Sequence, residues 1–182
     1  DVIFIGMEMV GTFYWSQYYL NAKGGVYVSA SHNPAQYNGF KFASDFSETL
    51  VQEGMQELRR MAEADDMEKG SVQGKDQETD IRDAYFSDLL LRVPFKKQYK
   101  VVVDASCSTA GVIAPELLRR AGCEVIESNC NLDPTFPLGT PDPTSASLAA
   151  RLKETVLREH ADIGFSYDTD GDRIGIVDDK GT

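Results

Sequence analysis

Residues 100–127, KVVVDASCSTAGVIAPELLRRAGCEVIE, hold the pattern that decides the fold. Lys100 to Asp104 is a short apolar run, which predicts a buried strand. Val112 to Ala121 reads as a helix, and Gly122 stands where a helix C-cap belongs. Glu124 to Glu127 reads as the next strand. Strands alternating with helices predict a layered α/β/α fold with mostly parallel, in places mixed, sheets.

The alternation continues on both sides. Downstream, Ser147 to His160 reads as a helix whose terminal His160 interacts favourably with the helix C-terminus. Ile163 to Tyr167 reads as a strand, and Arg173 to Asp178 as a strand entering the turn Asp179-Lys180-Gly181. Asn129 to Pro143 carries four prolines and predicts a long irregular loop. Upstream, Val2 to Ile5 reads as a buried strand. Phe13 to Leu20 (FYWSQYYL) predicts a well-packed helix, ended by Gly24-Gly25; its aromatic residues serve the core sooner than a stacked cofactor. Val26 to Ser29 and Phe40 to Ala43 are further strands. Asp45-x-x-Glu48 has the form of a capping box, opening a helix with Val51, Met55, Leu58 and Met61 or Ala62 on one face. Ala64 to Asp80 is charged and aperiodic and predicts a surface connection. It is followed by a helix from Ile81 to Arg92 with Tyr85, Leu89 and Leu90 inward. These readings divide the chain into 1–78 and 79–182.

The 182 residues are 42% hydrophobic and 26% charged, an ordinary globular composition. Net charge is −11, with no cluster of Lys and Arg to displace counterions, so nucleic acid is disfavoured as a partner. Apolar runs fall far short of the roughly 20 residues that span a bilayer, and no secretory leader opens the sequence. Cys107, Cys123 and Cys130 have no metal-like spacing. They read as small buried hydrophobes in a reduced, cytoplasmic chain. The sequence opens at Asp1 directly before a strand and closes just after DDKGT, so a piece of a longer protein is expected.

Two loops carry chemistry. In IGFSYDTDGDRIGIV, Asp168, Asp170 and Asp172 lie two residues apart between apolar runs. In an extended strand such residues share a face but stand about 7 Å apart. A small ion needs its oxygens at about 2.1–2.5 Å, so the segment must curl, and Gly171 permits that. The all-oxygen set points to Mg²⁺ or another hard ion rather than zinc. A solvated acidic turn is the bland alternative. An EF-hand loop fits poorly, because Arg173 occupies its glycine position and a strand precedes it. The other loop is VSASHNPAQYNGFK, residues 28–41. Ser31 lies two residues beyond a strand end, beside His32, and Lys41 sits on the returning strand. A serine hydroxyl is a poor nucleophile without a base or cation, and taken alone this loop reads equally well as an ordinary turn.

Together the two loops resemble those of the α-D-phosphohexomutase family, the phosphoglucomutases and phosphomannomutases. Ser29 to Pro34 followed by Tyr37-Asn38-Gly39-Phe40-Lys41 is similar to the family's phosphoserine loop, and Asp168 to Arg173 to its metal loop. VVVDASCSTAG is similar to the opening of its second domain, and DPTFPLGTPDPTSASL to its proline-rich loop. The resemblance implies Ser31 as the phosphorylated residue and Asp168, Asp170 and Asp172 as Mg²⁺ ligands, with a phosphoserine oxygen of Ser31 completing the shell. It implies Lys41 as an acid/base or charge-stabilising group, with Arg173 and His32 contacting phosphate or supporting the loop. Partners would be a hexose phosphate and a hexose bisphosphate, glucose or mannose before glucosamine, together with third and fourth domains of the same polypeptide. The 182 residues alone are then expected to be inactive, having no anchor for the substrate's remote phosphate.

Two departures stand out: Thr169 replaces a glycine of the metal loop, and Gly11-Thr12-Phe13 stands where the family has Thr-Pro. Two rival readings remain. YDTDGD also resembles the motif of haloacid-dehalogenase-type phosphatases, with Asp168 as nucleophile, but that leaves the serine loop unexplained. A non-catalytic sugar-phosphate-binding relative would not need both loops intact.

Overall fold

The computed structural model describes residues 1–68, 70–93, 95 and 97–182. Strands β1 (Val2–Phe4), β2 (Gly24–Val28), β3 (Phe40–Ser44), β4 (Glu48–Thr49), β5 (Asp76–Glu78), β6 (Lys100–Asp104), β7 (Glu124–Ser128), β8 (Ile163–Tyr167) and β9 (Ile174–Asp178) alternate with helices. The helices are α1 (Val10–Tyr19), α2 (Gln52–Ala64), α3 (Arg82–Arg92), α4 (Ala110–Arg120) and α5 (Ala146–Glu159).

The stretch 100–127 folds as the strand–helix–strand unit its pattern predicts. β6 pairs in parallel with β7 and with β8, and β9 returns antiparallel to β8, giving the order β7-β6-β8-β9. Successive side chains of a strand face opposite ways. Val101 and Val103 therefore pack against Ala110 and Ala114 of α4, while Val102 packs against Leu152 and Val156 of α5. Helices cover both faces, so β6 reads as a continuous apolar run. All three cysteines are free and buried, and burial pushes the Cys130 thiol up to about 12. His160 takes the left-handed position that ends α5 (φ 52°). Among the described residues, 129–143 contain no helix or strand.

Residues 1–80 depart further from expectation. β2, β3 and β4 form an antiparallel sheet, and β1 pairs in parallel with β5. β5 lies inside the segment read as an unstructured connection, because Val2 to Phe4 offers an open edge to its backbone. Gly24-Gly25 do not end α1; the helix stops at Leu20, and the glycines begin β2. The capping box is likewise absent. Asp45, Phe46 and Ser47 all have positive φ and form a turn, Glu48 enters β4, and α2 starts after Val51 with no side-chain cap. Cross-strand pairing to β3 outbid a local cap there. α2 keeps the predicted apolar stripe, but none of its residues is buried.

In α1 the inward residues are Val10 and Phe13, against Ala43, while Tyr18 and Tyr19 are exposed. Trp15 donates from Nε1 to Asp88 Oδ2 at 3.0 Å and tilts against Tyr85, docking α1 on α3. In α3 the buried residue is Phe86, which lies on the same face as Leu89 and Leu90. Among the described residues, no helix is long and apolar enough to cross a membrane.

Leu152 is 1% exposed and Leu91 is 85% exposed. Leu152→Ala is expected to cost about 2–5 kcal/mol and Leu91→Ala within about 0.5 kcal/mol, read from urea unfolding at unchanged m-value. Equal costs would contradict the placement of the core at the β6–α5 contact.

Candidate active site

The serine loop hangs between β2 and β3. Its base is closed by Val28 opposite Phe40 and by the Ser29 amide donating to Gly39 O at 3.0 Å. A Cβ at residue 39 would sit 2.7 Å from the Ser29 carbonyl oxygen, so the approach of the two backbones requires glycine. Inside the loop, the Asn33 amide and its Nδ2 both donate to Ala30 O, at 3.1 and 2.8 Å. Ser31 is held at φ 50°, a left-handed conformation uncommon for a residue with a side chain.

The acidic loop turns between β8 and β9 and curls as its chemistry requires. Gly171 N donates to Asp168 O at 3.2 Å, and Arg173 N donates to Asp168 Oδ1 at 3.1 Å. The positive φ falls on Gly171 (74°) and not on Thr169, so the β-branched residue brings no left-handed backbone strain to the turn. A side chain at 171 would also collide with Met9. The neighbouring Val10, first residue of α1, donates its amide to Asp170 O at 2.9 Å. A free helix N-terminal donor thus fastens the acidic loop to the first half of the chain.

The fold brings all the residues singled out in the two loops together. Asp168, Asp170 and Asp172 each offer an oxygen within 4.8 Å of the others, with Asp168 and Asp170 buried. Ser31 Oγ donates to Asp168 Oδ2 at 3.1 Å. Arg173 donates from Nε and Nη2 to that same oxygen, at 3.1 Å each, and from Nη2 to Ser31 Oγ at 3.4 Å. Lys41 Nζ lies 2.8 Å from Asp170 Oδ2 and 2.7 Å from Asp172 Oδ2. His32 is exposed, with Nδ1 at 3.4 Å from Ser31 Oγ. A cavity of about 200 Å³ opens beside Ser31, lined in part by Tyr37, Thr109, Phe136 and Thr169.

Burial raises the pKa of Asp168, and the charges of Asp170 and Asp172 add to the rise. Burial acts the same way on Asp172, but the Lys41 ammonium outweighs it and holds that carboxyl below its usual range. Burial would lower the pKa of Lys41, yet its bonds to Asp170 and Asp172 prevail and keep it protonated. Burial, then Asp170, raises the Tyr27 hydroxyl.

The donor set fits a hard cation. Asp170 Oδ2 receives Ser29 Oγ at 2.9 Å and Lys41, whereas Oδ1 is buried with no partner among the described residues. A buried acceptor left unpaired costs about 1–3 kcal/mol, and a cation held by the three carboxylates would satisfy it.

Sequence reasoning missed Ser29, which lies in the quoted loop but two residues from Ser31, where nothing separates a strand-end residue from a site residue. It also missed Asp142, whose Oδ1 lies 3.7 Å from Arg173 Nη1. A carboxylate in an irregular proline-rich loop carries no periodic signal.

Residues 1–69 match the family model described as phosphoglucomutase/phosphomannomutase, alpha/beta/alpha domain I, and residues 83–181 match that of domain II. The chain is 39% identical over 178 residues to a phosphomannomutase/phosphoglucomutase of Pseudomonas aeruginosa, covering 98% of this chain and 38% of that protein. It is 33% identical over 180 residues to a phosphoglucomutase of Neisseria meningitidis, covering 99% and 39%. A crystal structure of a phosphoglucomutase/phosphomannomutase family protein from Burkholderia thailandensis superposes with a TM-score of 0.91 at 29% identity, covering 100% of this chain and 41% of that one. The chain therefore spans well under half the length of the curated relatives it matches.

The raised Asp168 pKa has a thermodynamic consequence. Its folded value lies above the unfolded one of about 3.9, so its stabilising contribution is full below that pH and is lost as pH rises through the folded value. A divalent cation should cancel that loss. In thermal melts, the rise in Tm on replacing EDTA with a divalent cation is expected to be larger at about pH 7.5 than at about pH 5, and to vanish in Asp168→Asn. A pH-independent rise would contradict this account.

Proposed function

This chain belongs to the phosphoglucomutase/phosphomannomutase family, and on that premise we propose that it carries the phosphoryl-transfer centre of a hexose-phosphate mutase. One observation supports the reading above the rest. Ser31 Oγ stands between a carboxylate and a guanidinium contributed from 137 and 142 residues away. A solvated turn needs no such partners. Ser31 is the phosphoryl carrier, and Asp168, Asp170 and Asp172 would hold Mg²⁺. When bound, that ion supplies positive charge for the phosphoryl oxygens.

The chain's own residues do the rest. Phosphoryl transfer depends on in-line positioning and on stabilising charge more than on covalent assistance. As the Ser31 Oγ–P bond breaks, its electron pair stays on Oγ, a hexose-phosphate hydroxyl oxygen bonds to phosphorus, and the hydroxyl proton ends on Ser31. The products are a hexose bisphosphate and free serine, and transfer of the other phosphoryl group back to Ser31 completes the isomerisation between O1 and O6. Lys41, kept protonated by Asp170 and Asp172, serves as stabilising charge and not as base. Arg173, close to both Ser31 and Asp168, orients the transferred group, and His32 borders it from the exposed side.

The division at 78/79 belongs to the same proposal, with nucleophile and lysine on one side and the carboxylates on the other. It falls in the gap between the two family models, 70–82. Choice between glucose and mannose phosphate falls to parts of the relatives' length that this chain does not span.

In the enzyme carrying this chain, Ser31→Ala is expected to lower mutase turnover by at least about 10³-fold and Lys41→Met by about 10²–10³-fold, measured by coupled assay. Peptide mapping should find a hydroxylamine-resistant phosphate on Ser31; a hydroxylamine-labile one on Asp168 would favour an aspartyl-phosphate phosphatase instead.

A further inference from the structure

We propose that Ser29 is a positioning residue that couples the nucleophile loop to the metal carboxylates through one hydroxyl. The inference rests on the reading of Ser31 and the three aspartates given above, and it assigns to Ser29 a role that the loop resemblance does not carry. A serine hydroxyl has one proton to donate and two lone pairs to accept with. Ser29 Oγ gives its proton to Asp170 Oδ2 at 2.9 Å and accepts the Ser31 amide at 2.8 Å.

Each bond has a distinct consequence. On the acidic side, Asp170 Oδ2 is occupied by Ser29 and by Lys41, so the carboxylate is turned with Oδ1 buried and unpartnered among the described residues. That leaves Oδ1 as the atom offered to a cation. On the serine side, the bond satisfies the backbone of a residue held at φ 50°, a conformation that its surroundings must impose. Ser29 itself is fixed by its own amide on Gly39 O. Lys41 also reaches Asp170, but among the described residues it pairs with the carboxylates of Asp170 and Asp172 and not with Ser31. Of the two, Ser29 is the one bonded both to Asp170 and to the Ser31 backbone, so it ties the placement of Ser31 to a ligand carboxylate.

The test uses the whole enzyme with Ser31 dephosphorylated, comparing Ser29→Ala, Ser29→Thr and Ser29→Val. Mg²⁺ affinity by titration calorimetry is read alongside kcat and KM for the hexose phosphate. Loss of a group that orients a ligand is expected to weaken Mg²⁺ binding by about 10-fold or more and to lower kcat by a similar factor with KM nearly unchanged. Ser29→Thr, which keeps the hydroxyl, should stay near wild type. If Ser29→Ala does not fold, Thr against Val makes the same comparison at matched shape. Ala and Val variants that retain Mg²⁺ affinity and kcat would overturn the proposal, as would Thr and Val falling equally. If the wild type takes up no Mg²⁺, or if Ser31→Ala stays active, the parent reading falls and this one with it. Wild-type Mg²⁺ binding and a dead Ser31→Ala beside an unaffected Ser29→Ala would sink this proposal alone.

Discussion

Three carboxylates whose oxygens lie within 4.8 Å of one another repel, and two of them, Asp168 and Asp170, are buried where water screens them poorly. The arrangement persists because positive groups meet it from elsewhere in the chain. Lys41 spans Asp170 and Asp172, and Arg173 folds back on Asp168. In a chain of net charge −11, these cations must be local, since the overall field opposes anionic ligands. Lys41 arrives on β3 opposite Tyr27, so antiparallel pairing of β2 and β3 is what delivers it.

The fold supplies this meeting through sheet edges. β8 and β9 hold the acidic loop at the rim of a sheet, where open α/β layers leave space for ligands. The serine loop reaches the same rim from the β2–β3 hairpin, and the first amide of α1 holds the acidic loop from beneath. α1 is in turn braced against α3 by Trp15 and Asp88, and Arg82 of α3 pairs with the buried Glu8 just ahead of α1. The site is thus assembled from hairpins and a helix end whose relative placement depends on packing between the two halves.

Where sequence reasoning succeeded, the signal was periodic or chemical. The apolar run of β6, the helical spacings of α4 and α5, and the oxygen-rich spacing of Asp168, Asp170 and Asp172 are properties of neighbouring residues. Where it failed, competition between local and distant partners decided the outcome. Asp45 to Glu48 has the residues of a capping box, but strand pairing with Ala43 and Ser44 took the segment. β5 has no apolar pattern, because it exists as a backbone partner for β1. Ser29 and Asp142 acquire meaning from Asp170 and Arg173, which no window of sequence around them contains.

By itself, the sequence determined the α/β layering of residues 100–178, the two chemically loaded loops and the need for the acidic one to curl, since hydrophobic period and carboxylate spacing act over a few residues. Tertiary structure alone decided that Ser31 faces Asp168 and Arg173, that Lys41 stands between Asp170 and Asp172, and that one oxygen of Asp170 is left buried and unpaired among the described residues. Those contacts join residues 129 to 142 positions apart, and contact over that distance is set by how sheets and helices pack.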